Sequence, residues 1–414
     1  MRPPTRSLGL RDGIALGIGS MVGAGLFTSF APAAVKGGSL LVVAVLVAGL
    51  VAAASAHSMV RLAARHPGSG GVYVYGRERL GLPWGYLAGW SFVVGQTASC
   101  AVMAMAMGTH LLPDQAKVVA VPVVLGVLVL NLQGVRRPEG AALWIVLLVV
   151  ALTLAFAATM IIAPPVTADA PPPVPPGSGG GVGVLQGAGF LFFAFTGFAR
   201  LAPFGDAVRD ARRTIPRAIA ISISAVLVLY LLVAFALTRA LGAGWVAARE
   251  APIAEAAEIS AWPWLGPGLR IAAVLAIGSA LVALSTGVAR IIQAMARDHH
   301  LPVALGRAGA SGIPRRAEAV VAGTVVIIII LVDLRGAIGY ASFLLLSYYG
   351  IAHACAWSLD RSLGRKVVPA LGLLGCLAIG MLLPWQSVVA GVITLAVGAF
   401  VGWVRWTTRE DRAA

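Results

Sequence analysis

The chain divides into twelve apolar segments separated by short polar stretches, and this pattern limits the fold more than any other feature. An α-helix needs about 20 mostly apolar residues to cross the hydrocarbon core of a bilayer. The segments are 13–36, 39–60, 84–109, 116–135, 140–163, 185–204, 215–240, 266–295, 317–334, 337–357, 367–384 and 386–404. With 59% hydrophobic and 11% charged residues, the chain is too apolar for a water-soluble core. We therefore predict an all-α integral membrane protein with twelve transmembrane helices and the lipid bilayer as its surroundings.

The basic residues are distributed unevenly between the two sides of the predicted bundle. If the first residues are cytoplasmic, 25 of the 31 Lys and Arg residues fall on the cytoplasmic side. The other side carries only Lys36, Lys117, Arg239, Arg249, Arg270 and Arg335. This is the positive-inside pattern, so we expect a multi-pass protein of the cytoplasmic membrane with both termini in the cytoplasm. The net charge of +15 then indicates topology, and no nucleic-acid partner is expected.

Residues that carry enzyme or metal chemistry form no recognisable group. Cys100, Cys355 and Cys376 are far apart in the chain, so they give neither a disulfide framework nor a CxxC metal pair. An H-E-x-x-H motif and paired acids within the predicted spans are both missing from the sequence. We therefore expect neither an enzyme nor a cofactor. For His353, inside the predicted tenth span, we favour a hydrogen bond between packed helices over a functional role.

A glycine-rich stretch, GIGSMVGAGLF at 17–27, lies inside the first predicted span. Non-helical backbone survives at membrane depth only where it is buried in protein or lines a cavity. A break at 19–25 would expose N–H groups for an anion and carbonyls for a cation, as an α-amino acid requires. The alternative is a close helix contact, because Gly19 and Gly23 are four residues apart. This stretch alone leaves both interpretations open.

A second interrupted helix favours the binding interpretation. The sixth segment reads GVLQGAGFLFFAFTGFARLAPFG at 183–205, with glycines at 187, 189 and 197, an internal Pro203 and a cluster of phenylalanines. Interruptions in the first and sixth spans are what two inverted five-helix repeats would produce. We therefore predict one transmembrane domain over 1–414, with repeats at 13–163 and 185–357 and two further helices at 367–404. The site is expected between the two breaks.

Several motifs also resemble elements of one transporter family. Residues 19–27 match the pattern G-[SA]-x-x-G-x-G-[IL]-F, and residues 67–75 match P-x-x-G-G-x-Y-x-Y. The others are GYLAGW at 85–90, FFAFTGFA at 192–199, VRDARRTIPRAI at 208–219 and RIIQAMARDHHLP at 290–302. Together, in this order, they resemble the amino acid–polyamine–organocation permeases. Each motif alone would be weak.

The resemblance implies a LeuT-like fold of ten core helices plus two, working by alternating access. It also implies that the substrate carboxylate meets backbone N–H groups of Gly23, Ala24 and Gly25. The ammonium would meet the carbonyls of Met21, Phe193 and Thr196, with the Phe193 ring as a gate. The other implied pocket positions are Ser20, Gln96, Cys100, Phe195, Gly197 and Ser285.

The coupling ion stays open between H⁺ and Na⁺. Ala199 stands where many relatives of that family have an acidic residue, and Asp206 is only a weak substitute for it. Some members use a lysine on the fifth helix in place of sodium, and residues 140–163 contain no lysine.

A sodium site could be formed by two hydroxyls and two carbonyls. The hydroxyls would come from Ser285 and Thr286, and the carbonyls from Gly19 and Val22. Hydroxyl groups in membrane helices usually donate hydrogen bonds to the backbone of their own helix, however. We therefore favour such backbone bonds over sodium binding for Ser285 and Thr286.

The residues at the expected site favour a neutral, apolar amino acid, because no acidic side chain is present to pair with a cationic substrate. An amine, polyamine or cationic amino acid transporter or exchanger on the same fold is the alternative. A non-transporting amino acid sensor is a further alternative, which the short predicted tails disfavour. The direction of transport and the oligomeric state do not follow from the sequence.

Overall fold

The computed structural model describes residues 9–65, 71–134, 141–165, 179–199, 211–307, 312–360 and 362–413. Within these ranges the regular structure is helical. The α-helices are α1 (Leu10–Met21), α2 (Ala24–Thr28), α3 (Phe30–Gly37), α4 (Leu41–Arg65), α5 (Gly71–Arg79), α6 (Leu82–Leu111), α7 (Ala116–Gln133), α8 (Ala141–Ile162), α9 (Gly180–Phe195), α10 (Ala211–Ala247), α11 (Pro252–Glu258), α12 (Leu265–Arg297), α13 (Arg315–Leu331), α14 (Leu334–Trp357), α15 (Leu363–Met381) and α16 (Trp385–Ala413). Short 3₁₀ segments lie at Gly38–Leu40, Pro113–Gln115 and Val303–Gly306.

Eleven helical stretches in the described ranges are long and apolar enough to cross a membrane, so the chain is a multi-pass membrane protein. The predicted ninth span, 317–334, is not among them. Its helix, α13, has 17 residues, at the lower end of the length that a bilayer requires. The predicted boundary between the first two spans coincides with Gly38, whose φ of 54° ends α3 and starts a 3₁₀ turn.

The first span is interrupted where its glycines predict a break. Helix α1 ends at Met21, Val22 and Gly23 form a turn, and α2 begins at Ala24. Hydrogen bonds from Ser29 N–H to the Gly25 carbonyl and from Ala33 N–H to the Ser29 carbonyl, each 3.2 Å, then carry the helical path on into α3. The interruption is therefore one short turn between two helical halves.

The sixth span changes its geometry at the predicted place. Helix α9 ends at Phe195, and residues 196–199 continue as a 3₁₀ turn. Several sequence predictions lie outside the described residues. They are Pro203, Asp206, the first part of the 208–219 motif, residues 66–70 of the second motif and most of the 164–184 connector.

The two interrupted spans lie at the centre of the bundle. Helix α9 packs against α2, α3 and α4, α10 packs against α1, α3 and α4, and α6 packs against α12 and α14. The buried rings Phe27, Phe30, Phe192, Phe195 and Tyr230 fill the space between them. On the outside, large apolar side chains such as Ile162 (82% exposed) and Leu331 (75%) are uncovered, as lipid-facing positions are.

The histidine on α14 takes the packing role that the sequence favours. His353 is fully buried, and its ring nitrogens lie 2.9 Å from the Ser58 hydroxyl and 3.1 Å from the Ser55 hydroxyl, both on α4. Gly372 on α15 leaves room for the ring, because a Cβ there would overlap the imidazole. The histidine therefore joins three helices, which confirms the prediction for this residue.

Candidate functional site

A small cavity lies where the two interrupted helices meet α6. It is lined by Ser20, Met21, Ala24, Gly25, Gln96, Ser99, Met103, Phe193, Ala194, Thr196 and Gly197. Its volume is about 20 Å³, which is room for about one water molecule. No ionisable side chain lines it in the part of the chain that the structure describes. The cavity is therefore uncharged and too small for an amino acid in this conformation.

The two interrupted helices touch through their backbones at this cavity. A Cβ on Gly25 would overlap the Cα of Ala194, and a Cβ on Gly197 would overlap the carbonyl of Ser20. Only glycine allows backbones to approach this closely. The glycines of the two breaks therefore serve both a close helix contact and an irregular backbone, and the two interpretations of residues 17–27 are not exclusive.

Ser20 links the two breaks through its side chain. Its hydroxyl oxygen lies 2.8 Å from the carbonyl oxygen of Gly17, one turn earlier, and 2.8 Å from that of Gly197. A hydroxyl has a single hydrogen, so it donates fully to one carbonyl at a time. The Ser20 side chain thus holds the end of α1 against the turn that follows α9.

Carbonyl groups at the site already accept hydrogen bonds from protein donors. The Tyr230 hydroxyl on α10 donates to the Met21 carbonyl at 2.7 Å, and the Thr196 hydroxyl donates to the Phe193 carbonyl at 2.8 Å. The Tyr349 hydroxyl on α14 reaches the Thr196 carbonyl at 3.4 Å. A carbonyl oxygen has two lone pairs. The Phe193 carbonyl also accepts the backbone N–H of Thr196, so both of its lone pairs are in use.

The amide side of the site is the start of α2. The first N–H groups of a helix have no acceptor within the helix, and they lie at the positive end of its dipole. Ala24 and Gly25, which begin α2, both line the cavity. Gly23 lies beside the cavity and faces α12, where a Cβ would be 3.6 Å from the Ala280 Cβ. The first residues of α2 thus line the same cavity as Met21, Phe193 and Thr196, whose carbonyls have the partners given above.

A family model described as amino acid permease matches residues 8–406. The chain belongs to the amino acid permease family. The resemblance to the amino acid–polyamine–organocation permeases is thereby confirmed.

Several curated proteins are similar to the permease, two of them along most of their length and one along about half. An uncharacterized transporter of Mycobacterium tuberculosis is 45% identical over 413 residues, covering 98% of this chain and 93% of the relative. The branched-chain amino acid permease BcaP of Bacillus subtilis is 25% identical over 438 residues, covering 96% and 92%. A mitochondrial cationic amino acid transporter 3 of Arabidopsis thaliana is 28% identical over 320 residues, covering 70% and 51%.

Most of the predicted site residues of the permease lie together. Those that line the cavity are Ser20, Met21, Ala24, Gly25, Gln96, Phe193, Thr196 and Gly197. Phe195 is packed behind it, with its ring centroid 5.1 Å from that of Tyr230. Ser99, Met103 and Ala194 also line the cavity and were not predicted. Gln96, Ser99 and Met103 recur at helical spacing, a signal that the sequence contains.

Cys100 and Ser285 lie in a different cavity. It is lined by Cys100, Val124, Val127, Leu128, Asn131, Leu281, Ser285, Glu318, Val321, Ala322 and Val325. Sequence reasoning missed Asn131 and Glu318. The available signal was an acidic residue at the start of a predicted span, since ionisable groups within membranes are functional candidates by default.

The residues of the predicted sodium site make their own packing contacts. The hydroxyls of Ser285 and Thr286 lie 3.2 and 3.1 Å from the Val282 carbonyl of the same helix, which is the backbone bonding that the sequence favoured. Gly19 faces α8, where a Cβ would overlap the Val146 side chain. Val22, in the turn of the first span, is buried.

Proposed function

We propose that the permease is a secondary active transporter that moves a neutral, apolar α-amino acid across the cytoplasmic membrane by alternating access on a LeuT-like fold. The observation that supports this most is the uncharged cavity between the two interrupted helices. Irregular backbone at membrane depth, with N–H groups and carbonyls facing one space, suits a zwitterion.

The proposed binding mode uses the backbone for the part that all α-amino acids share. The N–H groups at Gly23, Ala24 and Gly25 bind the carboxylate. The ammonium donates to the carbonyls of Met21, Phe193 and Thr196, and at Phe193 it displaces one of the two donors from Thr196. The side chains that line the cavity then select among amino acids with different side chains.

A neutral substrate follows from the composition of that wall. A cationic side chain would enter a cavity whose described lining has no carboxylate to pair with it, which is costly in low dielectric. Met103 and Phe193 offer apolar surface, while Gln96 and Ser99 are uncharged polar groups. The name of the Bacillus relative, a branched-chain amino acid permease, agrees with this choice.

The small volume of the cavity also supports a mechanism with moving helices. A space for about one water cannot hold an amino acid, so binding requires the two interrupted helices to separate from α6. Phe193, which is 4% exposed and lines the cavity, is the proposed gate. Opening toward one side at a time gives alternating access.

The test is flux in proteoliposomes that contain the purified permease. We expect radiolabelled leucine, isoleucine or valine to exchange with the same unlabelled amino acid, and lysine and putrescine to exchange poorly. If lysine or putrescine exchanges faster than leucine, isoleucine or valine, the result would support a transporter of cationic amino acids or polyamines. Binding of an amino acid, detected by thermal shift, without any flux would contradict transport and favour a sensor.

A further inference from the structure

A second cavity, the Glu318 cavity, lies next to the proposed substrate site and holds a buried acid. Its lining, given above, is mostly aliphatic, with Cys100, Asn131, Ser285 and Glu318 as the polar members. Helices α6, α7, α12 and α13 supply these residues. The volume is about 20 Å³, again close to that of one water molecule.

The carboxyl group of Glu318 is buried and only half satisfied. The residue is 2% exposed. Asn131 Nδ2 donates to its Oε2 at 3.0 Å and also to the Ser285 hydroxyl at 2.8 Å. No donor among the described residues lies within hydrogen-bonding geometry of its other oxygen, Oε1, although the Thr286 side chain on α12 lies near the carboxyl group. A buried carboxylate with an unpaired oxygen is costly, whereas binding a proton removes the charge.

Few charged or titratable groups surround Glu318 in the described part of the chain. Helix α12 contributes Arg290, an exposed guanidinium within electrostatic reach, and α6 contributes the Cys100 thiol. Helix α7 contributes Asn131, which does not titrate, and the packed segment Val303–Gly306 has no titratable side chain. Glu318 also lies in the first turn of α13, where the helix dipole favours negative charge.

We propose that Glu318 is a proton-binding site whose occupancy is coupled to transport, so that H⁺ is the coupling ion. This inference rests on the proposed transport function. Proton binding adds one O–H bond at Oε1, with the proton taken from water on the side to which the cavity opens. The neutral acid is then a donor as well as an acceptor.

The donor geometry favours a proton over a sodium ion. A bound cation needs a shell of oxygen ligands. An ionised carboxylate only accepts, so the Asn131 amide must turn its NH₂ group toward Glu318, and the same group bonds Ser285. The NH₂ group of Asn131 therefore lies between the Glu318 carboxylate and the Ser285 hydroxyl. A cation is repelled by such N–H donors and would not bind there.

Two helices separate the Glu318 cavity from the substrate cavity and can transmit a change between them. On α6, Ser99 lines the substrate cavity and the next residue, Cys100, lines the Glu318 cavity. On α12, Ala280 is the near neighbour of Gly23 at the first break, and Leu281 lines the Glu318 cavity. Rearranging the Asn131 bonds on protonation therefore shifts helices that also contact the substrate site.

The experiment compares two modes of transport in the same proteoliposomes. Exchange of the best amino acid of the flux panel at equal pH measures substrate handling alone. Uptake with an acidic outside measures proton coupling. For the wild type, we expect the gradient to raise uptake well above the uptake at equal pH. For Glu318→Gln, we expect that ratio to fall to about 1, because coupling is lost while exchange persists. Glu250→Gln, on an exposed loop, is the matched control and should keep the wild-type ratio.

Each result decides a separate point. A wild type that accumulates substrate on a sodium gradient and ignores the pH gradient overturns the proposal, and so does a Glu318→Gln variant that keeps the wild-type ratio. A wild type without exchange of any amino acid contradicts the transport function itself. If Glu318→Gln does not fold, infrared titration decides, since the wild type should show a protonated-carboxyl band that is shifted in Glu318→Asp. The lack of such a band, or a band unchanged in that variant, overturns the proposal.

Discussion

Replacing Gly25 by alanine tests whether the two interrupted helices depend on backbone contact. The added Cβ would overlap the Ala194 Cα and would lie 2.7 Å from the Ala194 Cβ and 3.0 Å from its carbonyl oxygen. Carbon atoms prefer about 3.5–4.0 Å, so α2 and α9 must separate by roughly 1 Å. Overpacking of this kind costs about 1–3 kcal/mol. The obstacle is backbone, which cannot rotate away as a flexible side chain would.

The measurement is thermal unfolding of the detergent-solubilised protein together with amino acid exchange in proteoliposomes. Gly25→Ala should lower both the unfolding midpoint and the exchange rate. Gly126→Ala on α7 is the matched control, because nothing lies within 4 Å of its added Cβ. Alanine there should stabilise the helix by about 0.5–1 kcal/mol. If Gly25→Ala unfolds and exchanges like the wild type, the close contact between α2 and α9 is wrong.

Three further predictions concern the first break and the short helix α5. Gly23→Leu should abolish exchange, because a large side chain at the start of α2 displaces the N–H groups assigned to the carboxylate; wild-type uptake would show that the carboxylate binds elsewhere. Tyr230→Phe should cost about 1 kcal/mol of stability by removing the donor to Met21, as thermal unfolding would measure, and no change would mean that the bond is not formed. Burial, assisted by the charge of Glu78, raises the pKa of Tyr75 on α5 from 10 to about 12. The folded state therefore prefers the neutral phenol, so stability is complete below pH 10 and falls as the pH rises to about 12; Tyr75→Phe should flatten that fall in a pH series of unfolding midpoints.

The first break could be predicted because its cause is local. Four glycines within residues 17–27 leave few side chains to pack, and non-helical backbone in a membrane needs a cavity, so the position of the turn at Val22 and Gly23 follows from the chain itself. The position of the 3₁₀ turn at 196–199, which follows α9, could be predicted for the same reason. Most of the lining residues come from these two stretches, which is why they too were predicted.

The contributions of other helices could not be predicted in the same way. Tyr230 is more than 200 residues from Met21 in the chain, and only tertiary packing brings its hydroxyl to that carbonyl. On α6 the predicted Gln96 lines the substrate cavity, whereas the predicted Cys100 lies one residue beyond the residue that does, Ser99. Successive residues on a helix are about 100° apart, so Ser99 faces the substrate cavity and Cys100 faces the Glu318 cavity.

The burial of Glu318 on α13, a helix of only 17 residues, could not be predicted from the sequence either. Glu318 follows two arginines at the start of α13, a sequence that is typical of a charged helix end at the membrane surface. Its burial depends on Asn131 from α7, which lies 187 residues away. Hydropathy along the chain does not contain that information.

The backbone contact between the two breaks restricts where selectivity can change at the proposed substrate site. At Gly25 and Gly197 no side chain can be added, so these positions cannot be exchanged to suit amino acids of different size. Gln96, Ser99 and Met103 on α6 are free of that restriction. In a library of variants, a new preference among amino acids is therefore expected to arise from the α6 wall, while the glycine positions reject most replacements.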